Sequence, residues 1–424
     1  WQIDTLDDYY QFCTAAGAPE IPDWQSDEEF GRQRVAGVNP VSLKRVTSTE
    51  GFEDLLAVAG FDTEDAIILG QVYTLDHSWF ADMAGEYVIN GERVQYLRVP
   101  RSLFYAPTPD VLLPVAIEFD GHVYTPQSPG MDWTVAKMVL ANADMHAHQF
   151  QVHALFCHFM AEEKLLHVAR HIPSSHVIWK LLRPHFNGLV SINNAARGTL
   201  IAMEDAKSLV SMFGDTMSTG VTGSIRIAQK AYAEFAGQSV WKVLLARNGT
   251  MGAPIDYPFR DDAMVMESAI ARHVHEHLGP DVHVPDGFLE AIGTDRDGVT
   301  DWLVDTIFTA SGFHAAVNFS QGKYMTNVIN MPGALHARPR PGMTEREVIG
   351  MLPPVNQALL QIAFAQQLSI KSEDILGTGQ GWLPGSRLAI YAQHADSVIR
   401  RRNETRGMPY DWLLHENVPN STAI

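Results

Sequence analysis

The chain has 424 residues, of which 46% are hydrophobic, a globular composition with enough apolar material for a buried core. The formal net charge of −18 argues against a nucleic-acid partner. The sequence has no run of about 18 apolar residues, so we predict no transmembrane segment. Peripheral contact with a membrane stays open.

The two cysteines, Cys13 and Cys157, provide no disulfide framework. The chain begins at Trp1 rather than at methionine, so we expect a longer, fused or processed polypeptide upstream. With no visible signal peptide, we expect a cytoplasmic protein and leave a processed or secreted form open.

The N-terminal part of the chain predicts small elements. Residues 1–50 mix acidic, proline and aromatic residues, which indicates short helices and loops. Between 66 and 130, short β-prone runs alternate with Gly, Asn and Pro, which predicts small strands and hairpins. These runs are AIILGQVY (66–73), ERVQYLRV (92–99), LLPVAIEF (112–119) and HVYTP (122–126).

Helical patterns dominate from residue 133 onward, with prolines such as Pro258, Pro332 and Pro353–Pro354 between them. The predicted helices cover 133–169, 176–212, 224–247, 261–278, 301–319, 347–367 and 385–404. We therefore predict a mainly α fold with a minor β element near the N-terminal side. Residues 1–130 would lead into a helical core at 131–424, and both parts would form one continuous domain.

The stretch HQFQVHALFCH (148–158) places His148, His153 and His158 five residues apart. Fifth neighbours lie about 140° apart around an α-helix. A π-helical turn takes about five residues and would bring His153 and His158 onto one face, and such turns concentrate at functional sites. The spacing therefore predicts two imidazoles that can bind one metal ion.

Further candidate ligands lie downstream, in SGFHAAVNFSQ (311–321). His314 and Asn318 are four residues apart, so they share one face of a helix. Three neutral imidazoles and an amide would leave a divalent ion's charge uncompensated, so an anionic ligand is expected. The small, apolar end VPNSTAI (418–424) is unlike a frayed polar tail, and the terminal carboxylate of Ile424, if buried, could supply that charge.

A second histidine-rich tract, RHVHEHLGPDVH (272–283), carries four histidines. Alternate residues cannot share one helix face, and no carboxylate-rich shell accompanies them. The tract therefore predicts a solvated helix face rather than a metal site.

The spacing His148-x4-His153-x4-His158-x17-His176-x8-His185, followed by HAAVN (314–318) and a terminal isoleucine, resembles the lipoxygenase family. Other stretches resemble the family in the same order, among them MDWTVAK (131–137), LLRPH (181–185), SINNAARGTLI (191–201) and DYPFRDD (256–262). The resemblance covers about residues 105–424. It implies the large helical lipoxygenase catalytic domain without the N-terminal β-barrel, as in bacterial mini-lipoxygenases, with the iron-binding core at 131–424.

The resemblance also implies roles for the matching positions. The iron ligands would be His153, His158, His314, Asn318 and the carboxylate of Ile424, with manganese a less frequent metal. Gln149 and Gln321 fall where family glutamines form hydrogen bonds near the metal and its asparagine. Substrate binding and stereocontrol would involve Ala196 and Leu200, and alanine at position 196 is typical of S-specific members. Structural positions near the site are His148, His176, His185 and Arg197.

The implied function is regio- and stereospecific dioxygenation of the 1,4-diene of a polyunsaturated fatty acid, begun by hydrogen abstraction with a ferric hydroxide and ending in a hydroperoxide. The partners would be O2 and a fatty acid of the linoleate, linolenate or arachidonate class. Met331 stands where several members carry an arginine that meets the fatty-acid carboxylate. Two alternatives stay open: a hydroperoxide isomerase that uses the same iron, and a non-catalytic lipid-binding module.

Overall fold

The computed structural model describes residues 1–89, 91, 93–200, 216–235, 240–376 and 386–423, and these are mainly helical, as the sequence predicts. The chain folds into two compact units, each assembled from three separate segments. The first unit comprises Trp1–Val152, Ala196–Tyr257 and Ser320–Ser369. The second unit comprises His153–Ala195, Pro258–Phe319 and Ile370–Ile424.

The described strands all lie in the N-terminal part of the first unit. They are β1 (Leu43–Arg45), β2 (Val72–Leu75), β3 (Gly85–Ile89), β4 (Arg93–Leu97), β5 (Arg101–Thr108), β6 (Val111–Phe119) and β7 (His122–Tyr124). One antiparallel sheet has the order β1-β2-β5-β6-β7, and β3 and β4 form a separate hairpin. Along β6 the buried residues mostly alternate with partly exposed ones, which is typical of a strand that packs one face on a core.

The strands predicted near 92–99, 112–119 and 122–126 are confirmed, but the strand predicted at 66–73 is right only at its last two residues. Residues Thr63–Ile68 form a helix, because the side chain of Asp62 accepts a hydrogen bond from the amide of Asp65 and caps the first turn. Gly70, at φ +73°, follows the end of that helix, and the strand begins only at Val72.

Among the residues that the structure describes before residue 131, four short α-helices are present: α1 (Leu6–Ala15), α2 (Asp27–Ala36), α3 (Glu53–Leu56) and α4 (Thr63–Ile68). Beyond it the helices are α5 (Asp132–Ala147), α6 (Met160–His171), α7 (Val177–Leu182), α8 (Leu189–Thr199), α9 (Gly220–Phe235), α10 (Val240–Arg247), α11 (Pro258–His277), α12 (Asp286–Ile292), α13 (Val299–Phe308), α14 (His314–Asn318), α15 (Gln321–Tyr324), α16 (Glu345–Met351), α17 (Val355–Leu368) and α18 (Leu388–Asn403). Two π-helical segments, His148–Phe159 and Thr309–Phe313, lie within longer helical stretches.

Two of the predicted helices are broken in the structure. The helix expected at 347–367 is divided into α16 and α17 at Pro353–Pro354, because proline cannot continue the hydrogen-bond ladder and restricts the residue before it. The helix expected at 176–212 breaks at a 3-10 turn that contains Pro184, and its residues 201–215 lie outside the described part of the chain.

Cys13 and Cys157 are both buried free thiols. Within the described ranges, no single helix combines the length and hydropathy of a membrane span. The helices α16 and α17 meet both criteria only as a pair, and that pair is bent by 57°.

Candidate metal centre

The histidine repeat lies on the π-helical segment His148–Phe159, which continues α5 and leads into α6. Because a π turn takes about five residues, side chains five apart face the same side. The Nε2 atoms of His153 and His158 are 3.3 Å apart, and their ring centroids are 4.9 Å apart. The predicted π turn is confirmed, and it brings the two imidazoles together.

A third imidazole completes the cluster from another helix of the second unit. His314 begins α14, directly after the π-helical segment Thr309–Phe313. Its ring centroid lies 5.1 Å from that of His158 and 5.7 Å from that of His153. One nitrogen atom from each ring falls within 4.8 Å of the other two, which is a geometry that could hold one metal ion.

The three imidazoles are buried, and burial favours the neutral form of His158 and His314. Burial lowers the pKa of His158 to about 4, and it holds the pKa of His314 well below its ordinary value, with the nearby His158 acting in the same direction. Neither ring nitrogen of His314 has a hydrogen-bond partner among the described residues. An unpaired buried polar group is costly, and a neutral imidazole is the form that binds metal. The three residues therefore fit a metal such as iron, which imidazole ligands suit.

One nitrogen of His158 is fixed by a neighbouring amide that sequence reasoning missed. The Nδ2 of Asn193 donates to Glu162 Oε2 at 2.7 Å and to the carbonyl oxygen of His158 at 3.2 Å, so its Oδ1 faces the ring. His158 Nδ1 lies 3.1 Å from this oxygen and must donate to it. This bond places the proton on Nδ1 and leaves the Nε2 lone pair directed to the cluster.

The C-terminal tail is held by main-chain pairing within the second unit. The amide of Ile375 donates to the carbonyl of Val418 at 2.7 Å, and the amide of Asn420 donates to that of Glu373 at 2.9 Å. Ser421 and Thr422 have 0% of their surface exposed. The tail is thus buried up to Thr422, as expected, whereas Ile424 lies outside the described residues and its carboxylate remains a predicted ligand.

Residues between α7 and α8 contact the same tail. His185 Nδ1 donates to the carbonyl oxygen of Asn420 at 2.7 Å, and Ser421 Oγ donates to that of Asn187 at 2.7 Å. Gly188 lies against Ala423 so closely that an added Cβ would come within 2.9 Å of the alanine methyl. These contacts give His185 a structural role.

The remaining predicted metal-site residues are placed as follows. Asn318 is fully buried and ends α14, four residues after His314. Gln149 and Gln321 bond to each other within the first unit, where Gln149 Nε2 donates to Gln321 Oε1 at 2.8 Å. That pairing agrees with a shared role, and their link to the metal remains a prediction.

Of the predicted substrate positions, Ala196 lies on α8 and Leu200 directly follows it. Ala196 is half-buried on this helix, and Arg197 is exposed. Leu200 packs against an apolar cluster of the first unit that includes Met145, Phe150 and Met331. These surroundings have the apolar character of a lipid site.

Two other predicted positions have distinct surroundings. His148 is buried at the start of the π-helical segment. His176 caps α7: its Nδ1 accepts from the amide of Ile178 at 3.1 Å, and its Nε2 donates to the carbonyl of His283 at 2.8 Å. This cap gives His176 a structural role.

The prediction of a solvated face for residues 272–283 is wrong at His273, which has 1% of its surface exposed. His273 and His277 are four residues apart, so they share a helix face, and together with Glu276 they form a second group that could hold a metal ion. His275 and His283 are exposed, as predicted.

Comparison with known proteins gives consistent matches. The chain is similar to an allene oxide synthase-lipoxygenase protein of Plexaura homomalla, with 26% identity over 99% of this chain and 46% of the relative. It is also similar to the linoleate 9/13-lipoxygenase of Pseudomonas aeruginosa, with 29% identity over 96% of this chain and 67% of the relative. Among solved structures, an anaerobic lipoxygenase crystal structure in complex with arachidonate superposes with a TM-score of 0.87 at 26% identity, over 99% of this chain and 71% of that chain.

The chain thus spans between about half and about two thirds of the length of these relatives. The similarity extends further towards the N-terminus than the expected limit near residue 105, because a family model described as Lipoxygenase matches residues 17–280. More than half of the chain fits that model, and the chain belongs to the lipoxygenase family.

Proposed function

We propose that this protein is a non-haem iron lipoxygenase that adds O2 to the 1,4-diene of a polyunsaturated fatty acid and releases a hydroperoxide. The observation that carries the proposal is the convergence of three buried imidazoles, those of His153, His158 and His314, whose ligand atoms lie within 4.8 Å of one another. Membership of the lipoxygenase family supports the dioxygenase class. A relative named for linoleate and a solved neighbour that holds arachidonate support the substrate class.

In this proposal the metal is held by His153, His158, His314, Asn318 and the carboxylate of Ile424. The imidazoles and the amide are neutral, so the carboxylate would be the one anion that the chain contributes. Iron, when bound, supplies the one-electron redox chemistry that removes a hydrogen atom from a bis-allylic methylene and lets O2 add to the resulting pentadienyl radical. Manganese is the less favoured metal.

The protein's own residues orient the ligands before any metal binds. Asn193 keeps the proton of His158 on Nδ1, and Glu162 keeps the amide of Asn193 turned towards the ring. His185 and Ser421 hold the tail that precedes Ile424. Such partners of metal ligands typically contribute about 10- to 100-fold to metal affinity or activity.

Apolar side chains of the first unit are proposed to receive the fatty acid. Met331 is almost fully buried in the cluster against which Leu200 packs, so this position offers no cation to a carboxylate. We therefore propose that apolar contacts, rather than an ion pair at position 331, orient the substrate. The methyl group of Ala196 would shield one end of the pentadienyl radical and favour an S product.

The proposal is tested by incubating purified, iron-loaded protein with linoleate and with arachidonate. We expect conjugated-diene absorbance to rise together with O2 consumption, one O2 per diene, and chiral chromatography to give one dominant hydroperoxide. A hydroperoxide isomerase, which the family and its relatives do not favour, would consume added hydroperoxide without O2 uptake. A lipid-binding module would show neither change, and either result would contradict the proposal.

A further inference from the structure

The C-terminal end of α11 carries a second group of metal-ligand side chains. His273, Glu276 and His277 each offer a nitrogen or oxygen atom, and these atoms lie within 4.8 Å of one another. The two imidazole centroids are 4.9 Å apart, with the rings inclined by 60°. The spacing of three and four residues places all three side chains on one face of the helix.

Hydrogen bonds orient both histidine rings. His277 Nδ1 donates to the carbonyl oxygen of His273 at 2.9 Å. This bond places the ring proton on Nδ1 and leaves the lone pair on Nε2. His273 Nδ1 contacts Ser386 Oγ at 3.1 Å. In metal sites, a ligating histidine commonly uses its other ring nitrogen in this way.

The charges of the group suit a cation. His273 has 1% of its surface exposed and lies beside Glu276 and His277. Glu276 contributes a negative charge, and the last turn of a helix adds the negative end of the helix dipole. Tyr391 donates to Glu276 Oε1, and Arg387 Nε lies 3.7 Å from the same oxygen, but a carboxylate can keep these contacts and offer its other oxygen.

We propose that His273, Glu276 and His277 form a second metal site, which binds one divalent transition-metal ion of the Zn²⁺ class through two imidazoles and one carboxylate. Imidazole ligands favour Zn²⁺, Cu²⁺ and Ni²⁺ over Mg²⁺ or Ca²⁺, which prefer oxygen. Ser386 precedes α18 and Tyr391 lies on it, so an ion bound here would couple the end of α11 to α18 and stabilise the second unit.

The test uses untagged, iron-loaded protein titrated with Zn²⁺ by calorimetry, and with Co²⁺ while its visible absorption is recorded. The variants are His277→Ala and Glu276→Gln, and the matched control is His275→Ala, an exposed histidine on the same helix. We expect the wild type and the control to bind one added ion. His277→Ala should weaken binding by more than about tenfold, because a direct ligand contributes at least as much as a partner of one.

Thermal unfolding of the same samples gives a second readout. Added Zn²⁺ should raise the midpoint for the wild type and for His275→Ala but not for His277→Ala, because a ligand stabilises only the folded state that binds it. Iron content and fatty-acid turnover should not change in His277→Ala, so this test is independent of the proposed function. No Zn²⁺ binding by the wild type, or equal Zn²⁺ affinity in the wild type and His277→Ala, would overturn the proposal.

Discussion

His158 depends on a partner that lies 35 residues later in the chain. Asn193 accepts from its Nδ1, and Glu162 fixes the orientation of the amide. The five-residue spacing of His153 and His158 predicts this pair of ligands from the sequence, because both residues lie within one helical segment. No comparable signal points to Asn193, since its contact exists only after α8 has packed against the π-helical segment.

Replacing Asn193 by alanine should weaken iron binding by about 10- to 100-fold, because His158 would lose the bond that fixes its tautomer and ring orientation. The fold should persist, since the helices are held by apolar burial. Iron retention against a chelator, measured beside an exposed neighbour variant, Asn194→Ala, would check this. Equal iron retention in the two variants would show that Asn193 is not an orienting residue.

A second residue-scale prediction concerns Gly188, which has φ +71° and lies against Ala423. The variant Gly188→Ala combines backbone strain of roughly 1–2 kcal/mol with a collision that should displace the tail. Gly293 is a matched control, because it has φ +67° and an added Cβ would meet nothing within 4 Å.

We expect both glycine variants to lose unfolding free energy in urea, with Gly188→Ala losing at least as much as Gly293→Ala, whereas only Gly188→Ala loses iron. If Gly293→Ala lost as much iron as Gly188→Ala, strain rather than the position of the tail would be the cause.

At the scale of elements, local signals predicted most of the helices, and side-chain contacts decided where they ended. The continuous pattern at 133–169 was confirmed because nothing interrupts it, although its middle is π-helical. Residues 66–68 of the β-prone run are helical because Asp62 caps the helix Thr63–Ile68. At 272–283 the alternation of histidines predicts a solvated face, but the four-residue spacing of His273 and His277 places these two on one face, and His273 is buried.

The C-terminal tail gives a prediction at this scale. Deletion of Ile424 should leave the fold intact, because the pairing of Val418 and Asn420 with residues 373–375 does not involve the last residue. The new terminus would fall about 3.5 Å short, and the proposed anionic ligand would be lost. We expect folded protein, judged by circular dichroism, with little iron. A C-terminal tag should act in the same way and an N-terminal tag should not, and full iron content in the C-terminally tagged protein would contradict the proposed role.

At the scale of the whole molecule, buried neutral histidines make the stability sensitive to acid. Burial lowers the pKa to about 4 for His146, His158, His185, His273 and His336. The unfolded chain has the ordinary value near 6.5 and therefore binds more protons between these limits. Their contribution to stability is complete above about pH 6.5 and is lost as the pH falls towards 4.

We expect the urea midpoint to fall steeply over this range of pH. His146→Gln should make the slope shallower, because one buried histidine no longer resists protonation, whereas the exposed His122→Gln should not change it. A slope that is the same in both variants would show that His146 does not contribute.

The proposed function of the whole protein requires that His153, His158 and His314 hold iron. The most direct measurement is the metal content of purified wild type and His314→Ala by mass spectrometry, with the buried histidine variant His146→Gln as control. We predict one iron ion per chain in the wild type and the control, and almost none in folded His314→Ala. Full iron occupancy in His314→Ala, or a wild type that takes up no iron when expressed with it, would contradict the account.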